Sequence, residues 1–246
     1  MKQSSDTLKK LSFELGGNAP FIVFDDADLD VAVNGAIASK FRSSVCANRL
    51  YIQKGIYDDF AKAFTEKVKS FKVGSGYDEG VTHGPLIHDR AVSKVETHVQ
   101  DAVKQGGKVL VGGEKMPNLG SNYFQPTVIR DMTEKMNLAH EETFGPVAGL
   151  FPFDTEAEVV RQANDAEVGL AGYFFSKDVQ RCFRVAEALE VGMVGINTGL
   201  ISDPAPPFGG VKWSGFGREG SKYGIDEYMT VKTVTLGGMG QPLQDS

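Results

Sequence analysis

Four segments carry side chains whose type and spacing can do chemistry. In Phe13-Glu14-Leu15-Gly16-Gly17-Asn18-Ala19-Pro20, a carboxylate stands just before two glycines. Backbone packs closely at such glycines, and a semi-buried carboxylate there suits a general base with a raised pKa. The same spacing also describes a surface glutamate beside a turn. Cys46 lies in Ser43-Ser44-Val45-Cys46-Ala47-Asn48-Arg49, after a predicted helix end and before a predicted strand. A thiolate nucleophile at that place needs a nearby positive charge or a helix N-terminus. Without one, it is a buried inert thiol. Glu142 precedes Phe144 by two residues in Glu141-Glu142-Thr143-Phe144-Gly145-Pro146. Its carboxylate can hold sugar hydroxyls while the ring packs on a flat cofactor, or the segment is a helix end turned by Gly-Pro. The glycines between Pro207 and Glu219 mark either a binding surface or a structured loop.

The elements that must position these groups follow from periodicity. Phe21–Phe24, Leu50–Ile52, Lys108–Val111, Val147–Phe151, Leu170–Phe175 and Met193–Ile196 read as strands. Asp28–Phe41 reads as a helix with Asp28 as N-cap and apolar positions at Leu29, Val31, Val33, Ile37 and Phe41. Tyr57–Phe71 carries an i, i+4 stripe of Phe60, Phe64, Val68 and Phe71. Arg90–Lys104, Thr155–Ala166 and Val179–Leu189 complete the helices, Thr155 and Glu158 forming a capping box. Ser221–Tyr228 is a short helical turn, and Val231–Leu236 alternates like a terminal strand. Strands alternating with helices of this length predict an α/β fold with a mainly parallel sheet and flanking helices. Breaks are expected at Gly74–Gly80 and Asp203–Gly217, and the last ten residues read as a loose tail.

Composition narrows the function class. The chain has 246 residues and a formal charge of -6, which argues against a general nucleic-acid binder. Its longest apolar runs are far too short to span a bilayer, and Met1–Lys10 lacks an apolar signal core. Cys46 and Cys182 are too far apart in sequence to suggest a disulfide scaffold, so a reducing compartment is the default. No metal site is read. The localisation expected is cytoplasmic, or mitochondrial if a targeting segment precedes Met1.

Each motif is weak by itself, but their order is not. ELGGNAP, the cysteine segment, EETFGP, NTGLIS and PFGGVKWSGFGREGSKYGIDEY together resemble the aldehyde dehydrogenase superfamily over about residues 8–238. The ending REGSKYGIDEY, with KFR and VCANR, is most similar to its succinate-semialdehyde branch. The resemblance implies NAD(P)-dependent oxidation of an aldehyde through a cysteine thiohemiacetal and thioester. It makes Glu14 the catalytic glutamate, Glu142 the residue on the nicotinamide ribose and Phe144 the ring beside the nicotinamide. Arg42 becomes the clamp on the substrate's distal carboxylate, a geometry guanidinium suits, with Ser202 assisting and Phe208 lining the substrate funnel.

Two departures from the family pattern follow. Related sequences carry Gly-Gln-Thr-Cys before Val-Cys-Ala-Asn-Arg, whereas here Ser44 runs straight into Val45. The simplest alignment deletes the nucleophile and leaves Cys46 as its neighbour; an alternative reads Ser43–Cys46 as a decayed motif with Cys46 as nucleophile. The family's nucleotide-binding half is also expected to precede Glu14, so NAD or NADP binding by this chain alone is expected to be weak or absent. Residues 1–17 read as the end of that domain, 18–217 as the catalytic domain, and 218–246 as a C-terminal segment with an oligomerisation strand. The expected partners are a small aldehyde and either further copies of the chain or full-length subunits, with no nucleic acid and no membrane. The competing expectation is a non-catalytic truncated paralogue, or an incomplete gene model, acting only as an interaction partner.

Overall fold

The computed structural model describes residues 1–43, 45–238 and 240. Ser44, at the junction where the nucleophile motif is expected to be lost, and most of the expected tail lie outside the described residues.

The strands in chain order are β1 (Phe13–Glu14), β2 (Ala19–Val23), β3 (Ala47–Gln53), β4 (Lys108–Val111), β5 (Thr127–Arg130), β6 (Val147–Phe153), β7 (Val168–Gly169), β8 (Ala171–Phe175), β9 (Met193–Ile196), β10 (Val211–Lys212) and β11 (Gly215–Phe216). The helices are α1 (Leu29–Phe41), α2 (Tyr57–Lys69), α3 (Asp89–Lys104), α4 (Asn137–His140), α5 (Glu156–Asn164), α6 (Val179–Ala188) and α7 (Ser221–Gly224), which runs into a 3₁₀ turn over Ile225–Tyr228. Seven strands form one sheet in the order β4-β5-β6-β3-β2-β8-β9. Every pair is parallel except the edge pair β4-β5.

Both faces of the sheet are covered, so its central strands are apolar throughout rather than alternating. Phe21, Val23, Leu50, Ile52, Tyr173 and Phe175 face one layer, packed by α1 and α2. Ile22, Phe24, Tyr51, Phe151, Phe153 and Phe174 face the other, packed by α3, α5 and α6. The caps form as expected. Asp28 accepts from the Val31 N–H, and the Thr155–Glu158 capping box closes in both directions.

Three of the differences from the sequence reading have a clear physical cause. The buried stripe of α1 is Ala32, Val33, Gly35, Ala36, Ser39 and Lys40, while Val31 is exposed. Small residues face the sheet because the Phe175 ring occupies the space a Cβ on Gly35 would need. β5 was not foreseen. Thr127–Arg130 is only four residues long, set between Pro126 and Asp131, and is a strand because β4 and β6 pair with it on both sides. Val231–Leu236 forms no ladder in the single chain, where Val231, Val234 and Leu236 are exposed. A strand needs a second row of N–H and C=O groups, and none from the described residues reaches it.

The two ends of the chain are tied together. Phe13 and Glu14 pair antiparallel with Phe216 and Gly215. Leu15 N–H donates to the Ser214 carbonyl, and the Ser214 hydroxyl donates to the Gly16 carbonyl at 2.7 Å. This stitching fixes the ELGGN turn against the sequence between Phe208 and Glu219, whose own bridge is closed by two backbone hydrogen bonds of 2.8 Å.

Candidate active site

The candidate groups gather at the amino ends of the strands. Gly17-Asn18 leads into β2, Cys46 into β3, and Glu142–Pro146 into β6, while α1 ends at Phe41 beside them. In a parallel sheet with right-handed crossovers each helix runs back against its strand, so the C-terminal end of α1 reaches the start of β3. Ligands of open α/β sheets more often sit at the carboxyl ends.

Lys40 is the centre of this cluster. It is 2% exposed, on the buried stripe of α1. Its ammonium donates to Asn48 Oδ1 at 2.8 Å and to the Thr143 carbonyl at 3.3 Å. Burial pulls its pKa down to about 8, although Cys46 and Glu142 pull the other way. The Cys46 thiol donates to the Ser43 carbonyl at 3.0 Å. Burial pushes its pKa up; Lys40 opposes this and Glu142 adds to it. Burial thus works against the thiolate that an activated nucleophile needs.

The Glu141–Pro146 turn is fastened from both sides. On one side the Thr143 carbonyl takes the Lys40 hydrogen bond. On the other, buried His98 of α3 bonds through Nδ1 to the Thr143 hydroxyl and through Nε2 to Glu141 at 3.3 Å. Between these anchors Glu142 turns back on the glycine pair, accepting from the Gly17 N–H at 3.4 Å. A Cβ on Gly16 would come within 2.6 Å of Glu142 Oε2, so Gly16 leaves that carboxylate its place.

Phe144, 61% exposed, stands between two cavities. One, of about 430 Å³, is walled by Lys40, Arg42, Cys46, His83 and Phe144. The other, of about 350 Å³, is walled by Arg90, Lys94, Glu142 and Phe144. Arg42 caps α1 and is exposed on the first cavity's wall. Its charge, after burial, holds the pKa of His83 down.

Glu14 stands two residues before the Gly16-Gly17 pair on which Glu142 rests. It is exposed on β1, and its pKa is raised by local burial and by Glu219, with Arg218 opposing. Those charges belong to the C-terminal loop rather than to Cys46. Ser202 and Phe208 are not among the described residues lining the Cys46 cavity. The loop carrying Ser202 leaves β9 through Asn197, whose φ of 55° is one asparagine tolerates. It then crosses α1 with Gly199 against the Gly35 carbonyl, roughly 10 Å up the helix from Arg42. Phe208 packs against the core cluster that includes Phe21, Ala47 and Tyr173.

Lys40, Asn48, Thr143 and His98 were not among the site residues read from sequence. Lys40 did leave a signal: it sits four residues after Ala36 on the apolar stripe of α1, where a charge must find partners. Nothing in the spacing of His98 or Thr143 announces their contact. Among the described residues no His, Cys, Asp or Glu cluster is arranged to hold a metal ion, and no helix is long and apolar enough to cross a membrane.

An α/β domain with helices on both faces of its sheet, and with a thiol, a buried lysine and an acid–aromatic turn at the amino ends of its strands, defines the class. Residues 1–234 match the aldehyde dehydrogenase family, and the chain belongs to it. The succinate-semialdehyde dehydrogenase [NADP(+)] 1 of Schizosaccharomyces pombe is 62% identical over 96% of this chain and 48% of that protein. A glutarate-semialdehyde dehydrogenase of Pseudomonas putida is 56% identical over 96% of this chain and 49% of that protein. Among solved structures, the succinate-semialdehyde dehydrogenase of Burkholderia pseudomallei superposes with a TM-score of 0.91 at 57% identity, covering 93% of this chain and 48% of that one. The chain thus spans about half the length of the curated relatives it matches.

Proposed function

We propose that this chain is the substrate-side half of an NAD(P)-dependent dehydrogenase acting on short aldehydes that carry a second, carboxylate end, succinate semialdehyde first among them. The observation that carries this reading is the pair of cavities divided by Phe144. The cavity with Arg42 and Cys46 takes the aldehyde, its guanidinium facing the distal carboxylate. The cavity with Glu142 takes the nicotinamide end of NAD or NADP. The residues there fit that group: a half-buried carboxylate accepts from vicinal hydroxyls, and an exposed phenyl ring packs on a flat heterocycle. When bound, the dinucleotide would accept hydride from the substrate carbon. Lys40 and His98 hold the turn that presents both side chains, and Glu14 is the candidate base for water.

By itself this chain is a poor catalyst in this reading. A nucleophile must be a thiolate, and burial raises the pKa of Cys46, whose thiol donates to the Ser43 carbonyl. Cys46 is then the neighbour of a lost nucleophile. NAD(P)H absorbance with purified chain and succinate semialdehyde tests this: Cys46→Ser should leave whatever rate exists unchanged. A rate that collapses in the variant would restore Cys46 as nucleophile.

One observation favours the second reading, a non-catalytic partner of full-length subunits. After the 3₁₀ turn, Val231, Val234 and Leu236 are exposed apolar residues in a segment that is in no ladder of the single chain among the described residues, and such a segment can pair with another chain. Co-purification with a full-length homologue supports that reading; a chain that stays monomeric in its presence counts against it.

A further inference from the structure

We propose that Lys40, rather than Cys46, is the residue of this chain that captures an aldehyde covalently, as a reversible imine in the Arg42 cavity. The assignment of substrate class rests on the reading of Arg42 given above; the capture itself rests on the surroundings of Lys40.

The hydrogen bonds around Lys40 suit a neutral amine. Two acceptors reach it, Asn48 Oδ1 and the Thr143 carbonyl, and both residues are fully buried. An –NH2 group spends its two N–H bonds on them and keeps its lone pair, whereas an ammonium has a third hydrogen to satisfy. Among the described residues no carboxylate lies within ion-pair distance of Lys40 to hold it charged, Glu142 acting only at longer range. The acceptors are themselves fixed, Asn48 by β3 and Thr143 by His98, so the nitrogen is held in one place, on a lysine that is among the residues lining the cavity. Burial brings the lysine to about 8, within reach of neutral pH, while it raises the thiol of Cys46. The same desolvation thus favours the amine as nucleophile and disfavours the sulfur. Arg42, two residues on along the same wall, is placed to hold the far end of a semialdehyde.

The step balances without an oxidant. The amine lone pair forms a C–N bond to the carbonyl carbon, and the carbonyl π pair moves to oxygen, which takes a proton. The resulting carbinolamine loses its hydroxyl as water, and nitrogen gives up its remaining proton, leaving C=N. Aldehyde and amine give imine and water, and hydrolysis reverses both steps.

The purified chain is incubated with succinate semialdehyde and sodium cyanoborohydride, which reduces the imine to a stable secondary amine, and the adduct is located by peptide mass spectrometry. Lys40 is expected to carry it in preference to the exposed lysines. Its yield should rise roughly 25-fold from about pH 6.5 to about pH 8.5 as the neutral amine grows, with Cys46, Glu142, His83 and Arg42 as the other charged or titratable groups around it. Cys46→Ser should still be labelled at Lys40, and Lys40→Arg should not. Label confined to exposed lysines in the wild-type chain overturns the proposal, and that mapping needs no variant to fold. Butanal, which lacks the carboxylate, separates the two readings. If it labels Lys40 as well as succinate semialdehyde does, the capture stands and the Arg42 assignment falls.

Discussion

Replacing Arg49 by methionine should cost about 4 kcal/mol of stability. Arg49 is 1% exposed in β3 and is among the largest fully buried side chains. Its Nε donates to the Asn18 carbonyl at 3.0 Å, Nη1 to the Gln162 carbonyl at 3.0 Å and Nη2 to the Ala163 carbonyl at 2.9 Å. One side chain thus ties the turn before β2 and the end of α5 to the middle of the sheet. Methionine keeps most of the volume and abandons three buried carbonyls, each costing on the order of 1 kcal/mol or more when left unpaired. Lysine is no substitute, because one ammonium cannot reach three acceptors in the fan a guanidinium covers. Urea unfolding should show a lower midpoint with an unchanged slope. A loss under about 1 kcal/mol would mean that water takes over the three carbonyls.

Arg42→Met should weaken semialdehyde binding by about 2 kcal/mol, roughly 30-fold, while leaving the fold intact. Arg42 follows the last residue of α1 and is exposed, so its removal takes no packing from the core. An exposed charge is ordinarily worth little. Here it stands on the wall of a cavity whose other lining includes Phe41, Leu86, Ile87 and Phe124. In such a half-enclosed, mostly apolar setting a bidentate pair with a carboxylate keeps more of its energy than on an open surface.

Much of this fold is legible in the sequence because its elements are long or capped. Lys108–Val111 and Met193–Ile196 fall at the bounds expected, and Asp28 and Thr155 cap the helices they precede. The failures have physical causes. β5 is too short to carry a period of its own and exists only through its two neighbours. Of the apolar positions expected on α1, Leu29, Val33, Ile37 and Phe41 do pack on the core and Val31 does not; the small residues and Lys40 on the same face, where Phe175 approaches closely, carry no apolar signal. At the site, Glu142, Phe144, Arg42 and Cys46 come together as the motif order implies. Ser202 and Phe208 are not among the described residues lining the Cys46 cavity, and the charges that act on Glu14 are Glu219 and Arg218. Motif order cannot supply distances between segments, and the contacts that orient the Glu141–Pro146 turn come from His98 and Lys40, both more than forty residues away in sequence.

The claim on which the account turns is that the Arg42 cavity recognises a carboxylate-bearing aldehyde. Calorimetric titration of succinate semialdehyde into the wild-type chain and into Arg42→Met, with butanal as the uncharged control, tests it directly. The account predicts that wild type prefers the semialdehyde to butanal and that the variant binds both equally weakly. Equal affinity of wild type and variant for succinate semialdehyde would contradict it.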